Sequence, residues 1–341
     1  MGKVDLKALA SILNLSVSTV SRALGDKQDI GASTKKRVLE LATELNYQPN
    51  AQAASLRHRK SKTIGVVLPE IANNFFSLVI DGIEEIANTN GYHVLVYLTH
   101  ENLEKEIKIA RHIQNGRVDG LLISISSETV NVDHLLEVKN TGLPIVFFDR
   151  VSSDMKIPAV TTNDYESGFE ATKHLLEAGC KKVAFFSLSP NLSINGKRMK
   201  GYRDALKKQK PEMMYQLVLQ GGNEHEQNVQ QMVSLLNSKD RPDGIFACVE
   251  ELAIATYEAC AYLGLQIPKD VKVISFSNLR VASLLHPSLT TIRQPAFEMG
   301  KQAAATLFRM LENGNEKKQA LTPQKKVIKS SLIKRNSTAN V

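Results

Sequence analysis

Four places in this chain hold residues that could carry covalent or metal chemistry, and each lacks a partner that the chemistry requires. Gly196-Lys197 looks like the end of a phosphate loop, but the glycine needed five residues earlier is Asn191, and Arg198 replaces the Ser or Thr. His225-Glu226-Gln227-Asn228-Val229 has no second histidine for a zinc protease. Ser167 precedes Gly168, but Tyr165 replaces the first glycine of a nucleophile elbow. Cys180, Cys248 and Cys260 are odd in number and share no ligand spacing. That excludes a disulfide scaffold or C-x-x-C zinc site and favours a reducing compartment. No catalytic residue, metal site or cofactor is expected, and Lys207-Lys208 and Lys317-Lys318 read as solvated faces.

Binding chemistry remains, and charge locates it. The 341 residues carry 43 Lys and Arg against 35 Asp and Glu, a net +8. Residues 1–62 hold 11 and 5, residues 63–314 hold 25 and 29, and residues 315–341 hold 7 and 1. A basic head suits a polyanion such as nucleic acid. No apolar run reaches the roughly 18–20 residues that span a bilayer, since Phe246–Leu265 contains Glu250, Glu251 and Glu258. Ala8–Val17 is weakly apolar, but Ser11, Asn14 and Ser16 interrupt it and Asp5 precedes it, so it reads as a structural helix rather than a leader.

The elements that must position these groups follow from periodicity. Leu6, Leu9, Ala10 and Leu13 have helical spacing. Asn14 tolerates a left-handed turn, and Ser16 is a good N-cap for a helix over Val17–Leu24. A third helix is expected at about Ser33–Leu45. Three short helices with a tight first turn make a helix-turn-helix bundle. Residues 50–57 are too short to hold a helix alone and form a linker that could become helical on a partner. From Thr63, apolar runs (64–68, 94–98, 120–125, 144–149, 182–187, 244–248 and 271–276) alternate with amphipathic helices. The expected class is α/β, with parallel sheets covered on both faces. The polar gap Val151–Pro158 separates two similar lobes, and one strand is expected at Lys326–Ile333.

At this level Leu15-Ser16-Val17-Ser18-Thr19-Val20-Ser21-Arg22-Ala23-Leu24 resembles the recognition-helix signature of the lactose-repressor (LacI/GalR) family of bacterial transcription regulators. Asn46-Tyr47-Gln48-Pro49-Asn50 with Ala53 and Leu56 resembles its hinge. Thr63-Ile64-Gly65-Val66-Val67 with Pro69, Arg117-Val118-Asp119-Gly120 and Leu289-Thr290-Thr291-Ile292-Arg293-Gln294-Pro295 resemble its core, in order, over residues 4–333. The resemblance implies a helix-turn-helix domain (1–48), a hinge helix and linker (49–62) and a core of the periplasmic-binding-protein type. Lobe one would be 63–160 plus 291–320, lobe two 161–290 plus 321–333, and a tail 334–341. Crossing strands are expected near 159–162, 289–294 and 320–325.

The resemblance implies a cytoplasmic, homodimeric, non-enzymatic DNA-binding regulator, a repressor on a near-palindromic operator. Its effector would be a small molecule, a sugar or sugar phosphate, in the inter-lobe cleft. A periplasmic-type solute-binding protein is the alternative, and it leaves the head unexplained. The second helix of such a head lies in the major groove. There Val17 could meet a thymine methyl, Ser18 a base or phosphate, and Arg22 a guanine edge. Ser16, Thr19 and Ser21 would add phosphate contacts. Leu56 would wedge into the minor groove, with Asn50, Gln52, Ala53 and Arg57 beside it.

Open α/β sheets bind ligands at the carboxyl ends of their strands. The effector candidates are Asn73, Asn74, Phe75 and Phe76 after the first strand, Ser124 after the third, and Asp149 with Arg150 after the fourth. Asn163 and Asp164 flank a crossover. Arg198-Met199-Lys200-Gly201-Tyr202 resembles the family's pocket-arginine motif, the alternative for Arg198 being an inter-lobe salt bridge to Asp149 or Asp164. Val249-Glu250 stands where the family has Asn-Asp, and Ser277 where it has an aspartate that holds ligand hydroxyls or amines.

Overall fold

The computed structural model describes residues 5–47, 60–188, 191–209, 217–222, 224–312 and 324–340. The chain divides into two compact units, Met1–Ser61 and Lys62–Val341. The expected hinge residues Asn50, Gln52, Ala53, Leu56 and Arg57 lie outside the described residues.

In the first unit α1 (Leu6–Leu13), α2 (Val17–Leu24) and α3 (Ala32–Glu44) close on Leu9, Ala10, Val20, Ala23, Val38 and Ala42. Asp5 caps α1, and Asn14 takes the left-handed conformation at its end (φ 52°). Ser16 caps α2 by accepting from the Thr19 N–H at 3.1 Å. The helix-turn-helix therefore follows from two side chains that satisfy helix ends and one that tolerates positive φ.

The second unit is two six-stranded sheets. Sheet one has the order β11-β5-β4-β3-β1-β2, and sheet two β12-β10-β9-β8-β6-β7. In lobe one β1 (Thr63–Leu68), β2 (His93–Leu98), β3 (Gly120–Ile123), β4 (Ile145–Phe148) and β5 (Ala159–Thr162) alternate with α4 (Asn74–Thr89), α5 (Leu103–Ile113) and α6 (Asp133–Asn140). In lobe two come α7 (Asp164–Glu177), β6 (Val183–Ser187), α8 (Ser193–Gln209), β7 (Leu217–Gln220), α9 (His225–Leu236), β8 (Gly244–Ala247), α10 (Glu250–Leu263), β9 (Lys272–Phe276) and β10 (Thr290–Arg293). The central strands are buried along their length, as parallel strands covered on both faces must be. β7 escaped the sequence reading because, as an edge strand, it alternates half-buried and exposed residues over only four positions.

The lobe boundaries differ from the expected ones. Thr161 and Thr162 still belong to sheet one, through β5, while residues 291–293 belong to sheet two, through β10. The chain returns to lobe one as α11 (Ala296–Glu312), which packs on α4. The expected single strand Lys326–Ile333 is two: β11 (Lys325–Ile328), parallel to β5, and β12 (Ser331–Ile333), antiparallel to β10. The third crossing therefore lies at Lys329-Ser330, and residues 325–328 are lobe one. No Gly or Pro marks that change of sheet.

The expected tail is also structured. Ser337 and Thr338 are buried: Ser337 Oγ donates to the Val273 carbonyl at 2.6 Å, and Thr338 Oγ1 meets Thr290 Oγ1 and His174 Nε2 at 2.8 Å each. Burial, with Lys334 nearby, lowers the His174 pKa.

Candidate functional site

The first candidate surface is the outer face of α2. Val20 and Ala23 point inward, which leaves Val17, Ser18 and Arg22 exposed. Thr19 and Ser21 are half-buried. Ser16 Oγ lies 2.7 Å from Ser18 Oγ and 2.8 Å from Thr19 Oγ1, so three hydroxyls cluster at the helix N-terminus. Arg22 forms an ion pair with Asp29 in the loop before α3, and both side chains are about half exposed.

The second candidate is an open cleft between the lobes at the carboxyl ends of both sheets. Of the expected effector residues it brings together Asn73, Phe75, Phe76, Asp149, Arg198, Val249 and Ser277, with Arg150. Phe75 and Phe76 are core residues as well, packed edge-on with centroids 5.2 Å apart. Asn74, Ser124, Asn163 and Asp164 do not line it. Ser124 is fully buried at the end of β3. Asn74 donates to Glu250 Oε1 across the cleft at 3.4 Å. Asn163 Oδ1 accepts from Ser330 N at 2.7 Å, which ties the first crossing to the third.

Arg198 is 2% exposed. Its Nε donates to Asp164 Oδ1 at 2.9 Å and its Nη1 to the Cys248 carbonyl at 2.8 Å, and its guanidinium lies 3.7 Å from the Phe276 ring centroid. Arg198 is thus both a pocket wall and half of a buried ion pair. The salt bridge to Asp164, the alternative considered for Arg198, therefore forms, but it joins α7 to α8 within lobe two and does not run between the lobes. Close helix contact makes the pair possible: a Cβ on Gly168 of α7 would stand 2.5 Å from the Arg198 carbonyl oxygen.

Arg150 is committed in the same way, its Nη1 donating to Glu101 Oε1 at 2.7 Å and Oε2 at 2.9 Å. Asp149 follows β4 with φ 55°. Burial pushes its carboxyl up to about 6, against the opposing pull of Arg198 and Arg150. Gln294, in the second crossing, donates to Asp149 Oδ1 and Thr162 Oγ1 at 3.4 Å each.

Five lining residues were missed: Ile194, Glu250, Phe276, Asn278 and Gln294. The signal for three of them was present. Glu250 and Asn278 follow strand ends, and Phe276 is the last residue of β9. Gln294 was quoted only as part of a motif. Nothing in the sequence singles out Ile194.

Residues 6–50 match the model for bacterial regulatory proteins of the lacI family, and residues 61–335 match that for periplasmic binding proteins and the sugar binding domain of the LacI family. The catabolite control protein A of Priestia megaterium is 30% identical over 309 residues, which cover 90% of this chain and 92% of that protein. A LacI family transcriptional regulator from Enterococcus faecium, solved with bound ribose, is 28% identical with a TM-score of 0.70, covering 82% of this chain and 99% of that one. The lac repressor dimer bound to operator and the anti-inducer ONPF superposes with a TM-score of 0.85 at 22% identity, covering 99% and 100%. Two such matches in series, one for the helix-turn-helix head and one for the two-lobed core, establish that the chain belongs to the LacI family and is a DNA-binding transcriptional regulator with an effector-binding core.

Proposed function

We propose that the chain acts in the cytoplasm as a homodimer on a near-palindromic operator, and that a small molecule held between the lobes sets its operator affinity. The observation that carries the cleft reading is the pocket itself, walled by strand ends of both lobes and floored by the crossing residue Gln294. A molecule lodged there touches both lobes and a segment that joins them, so its affinity differs between lobe arrangements, as a switch requires. The solved relative with ribose supports a sugar-sized effector.

In this reading Val17, Ser18 and Arg22 meet base edges while Ser16, Thr19 and Ser21 hold phosphates. Asn50, Ala53, Leu56 and Arg57 engage the minor groove. Asn73, Phe75, Phe76, Asp149, Arg198, Val249 and Ser277 contact the effector. Asn74, Ser124, Asn163 and Asp164 support them from behind. A gel-shift titration with genomic fragments tests the DNA half, with selective retention of fragments bearing inverted repeats expected. Thermal-shift screening of a metabolite library tests the other half, since a ligand at about 100 times its dissociation constant adds about 2.7 kcal/mol. Leu56→Ala should reduce operator bending in a circular-permutation assay without moving the core's melting temperature.

A further inference from the structure

The pocket's charges do not balance. Two guanidiniums line it, and each is already neutralised by a carboxylate behind the wall: Arg198 by Asp164 and Arg150 by Glu101. Two further carboxyl groups line the same pocket with only neutral donors on them. Asp149 receives the Gln294 amide at 3.4 Å, and Glu250 receives Ser277 Oγ at 2.9 Å and Asn74 Nδ2 at 3.4 Å. The surroundings add to the excess: the Glu251 carboxyl, next to Glu250 in the first turn of α10, is pushed up by burial and by Glu70 and Glu101 from lobe one.

Two buried atoms at this edge also have no partner among the described residues. They are Arg150 Nε, in the pocket wall, and Ser124 Oγ, at the end of the neighbouring strand β3. Of the two residues only Arg150 lines the pocket. The other walls are Phe75, Phe76, Phe276, Val249 and Ile194, with the neutral amides of Asn73 and Asn278.

An anionic ligand entering such a pocket meets carboxylates with no free cation among the described lining residues to compensate it, and buried charges need compensation. A neutral polyol could hydrogen-bond here but would leave the excess negative charge unpaired. Resting on the effector reading above, we infer that the effector is a sugar-sized polyol bearing a protonated amine, of the amino-sugar class, whose ammonium pairs with Asp149 and Glu250. Sugar phosphates and sugar acids are excluded from the pocket. Ser277 then has a rationale: the family's aspartate is lost there, while Glu250 supplies a carboxylate from the adjacent strand end and Ser277 orients it.

The test uses the full-length protein and thermal shift, followed by calorimetric titration. The probes are glucose, galactose and mannose, each as the neutral sugar, the 2-amino-2-deoxy sugar and the 6-phosphate. At least one amino sugar is expected to bind saturably and about tenfold or more tighter than its neutral parent, as a charge-assisted pair would give, with no phosphate binding. Asp149→Asn and Glu250→Gln should each erase that preference, read as the ratio of amino-sugar to neutral-parent affinity in the same variant.

The affinity should also rise between about pH 5 and pH 7. Asp149, facing Arg150, Arg198, Asp164 and Gln294, must be ionised to take the ammonium. A phosphate that binds best, or an amino sugar that binds no better than its parent or keeps its advantage in both variants, would overturn the inference while leaving the effector reading intact. Silence of all nine probes overturns it too, and silence of a wider metabolite library as well would remove the effector reading with it.

Discussion

The buried pair Arg198–Asp164 allows a quantitative prediction about what holds the pocket wall in place. Substituting Arg198→Met leaves the Asp164 carboxylate, fully buried on its side chain, without its cation. Its Oδ2 already has no partner among the described residues, and only Thr162 Oγ1, at 3.3 Å, remains on Oδ1. Breaking a buried pair by removing one member costs about 3–5 kcal/mol, because the survivor's charge is uncompensated. The Cys248 carbonyl loses its 2.8 Å donor, and Phe276 loses the guanidinium over its face.

Asp164→Asn is milder, since the amide oxygen can still accept from Arg198. With the charge at residue 164 removed as well, Arg198→Met has less to break. The double variant should therefore cost less than the sum of the two singles by about 2 kcal/mol or more. At about 2–4 °C per kcal/mol for a unit of this size, Arg198→Met should lower the core's melting temperature by roughly 10 °C. Calorimetry is the suitable assay, because the chain has no tryptophan to report unfolding. Operator affinity of the folded protein at 25 °C should stay within about threefold, or ~0.7 kcal/mol, while the response to effector disappears. Additive losses in the double variant, or a cost below about 1 kcal/mol for Arg198→Met, would refute the claim that the pair is a mutually dependent support of the wall.

Three other outcomes are expected. The folded Asp149 carboxyl holds its proton up to about 6 while an unfolded aspartate releases it near 3.9, so the folded state binds more protons between these values and stability falls as pH rises through that window. Asp149→Asn should thus stabilise the protein at pH 7, by on the order of 2–3 kcal/mol, and have little effect near pH 4 in urea titrations. In a fluorescence-anisotropy titration Arg22→Ala should cost ~1–3 kcal/mol on operator and relax preference at one base pair per half-site, whereas Asp29→Asn, by freeing Arg22 from its ion pair, should tighten binding. Ser337→Ala deletes both a donor to the Val273 carbonyl and an acceptor for Thr290 N, and should lower the urea midpoint by the equivalent of about 2 kcal/mol without altering operator recognition.

Local patterns were legible in the sequence where one physical cause dominates. Helix-end residues marked the head, since Asn14 and Ser16 each act on the backbone within three residues, while the cap role of Asp5 emerges only from the structure. Continuous apolar runs marked the central strands, whose burial on both faces leaves no polar alternation. Patterns whose cause is remote were not legible. The change of sheet at Lys329-Ser330 is dictated by β5 on one side and β10 on the other, over 30 residues away in sequence. The docked tail is held by Val273, Thr290 and His174, none of which its own residues reveal. In the pocket, strand-end reasoning found side chains by position, but Arg198's commitment to Asp164 depends on how closely α7 and α8 approach, which is a property of Gly168 and Gly201 together.

The bond lengths around the cleft also show where motion is cheap. Within each lobe the pocket's charged groups are tied by short, charge-assisted bonds, 2.9 Å for Arg198–Asp164 and 2.7 Å for Arg150–Glu101. Such bonds are about twice as strong as neutral ones. Across the cleft and from the Gln294 side chain the ties are longer and have neutral donors, although the crossing backbones are held by shorter bonds, Ser330 N to Asn163 Oδ1 at 2.7 Å and Asn278 Nδ2 to the Gln294 carbonyl at 2.8 Å. Asn74 to Glu250, Gln294 to Asp149 and Gln294 to Thr162 are each 3.4 Å, and Ser193 Oγ to the Val151 carbonyl is 3.1 Å. Bonds of that length contribute little and are exchanged for water at small cost. Each lobe is therefore tied tightly up to the pocket wall, and the side-chain ties across the cleft face are weak. Gln294 sits at the crossing and contacts the pocket's carboxyl at Asp149 directly. A ligand that takes over Asp149 or Glu250 as its partner competes with these weak inter-lobe bonds and not with the strong intra-lobe pairs. Its binding energy thus acts on the arrangement of the lobes rather than on their internal structure, as a switch acting on a DNA-binding head requires.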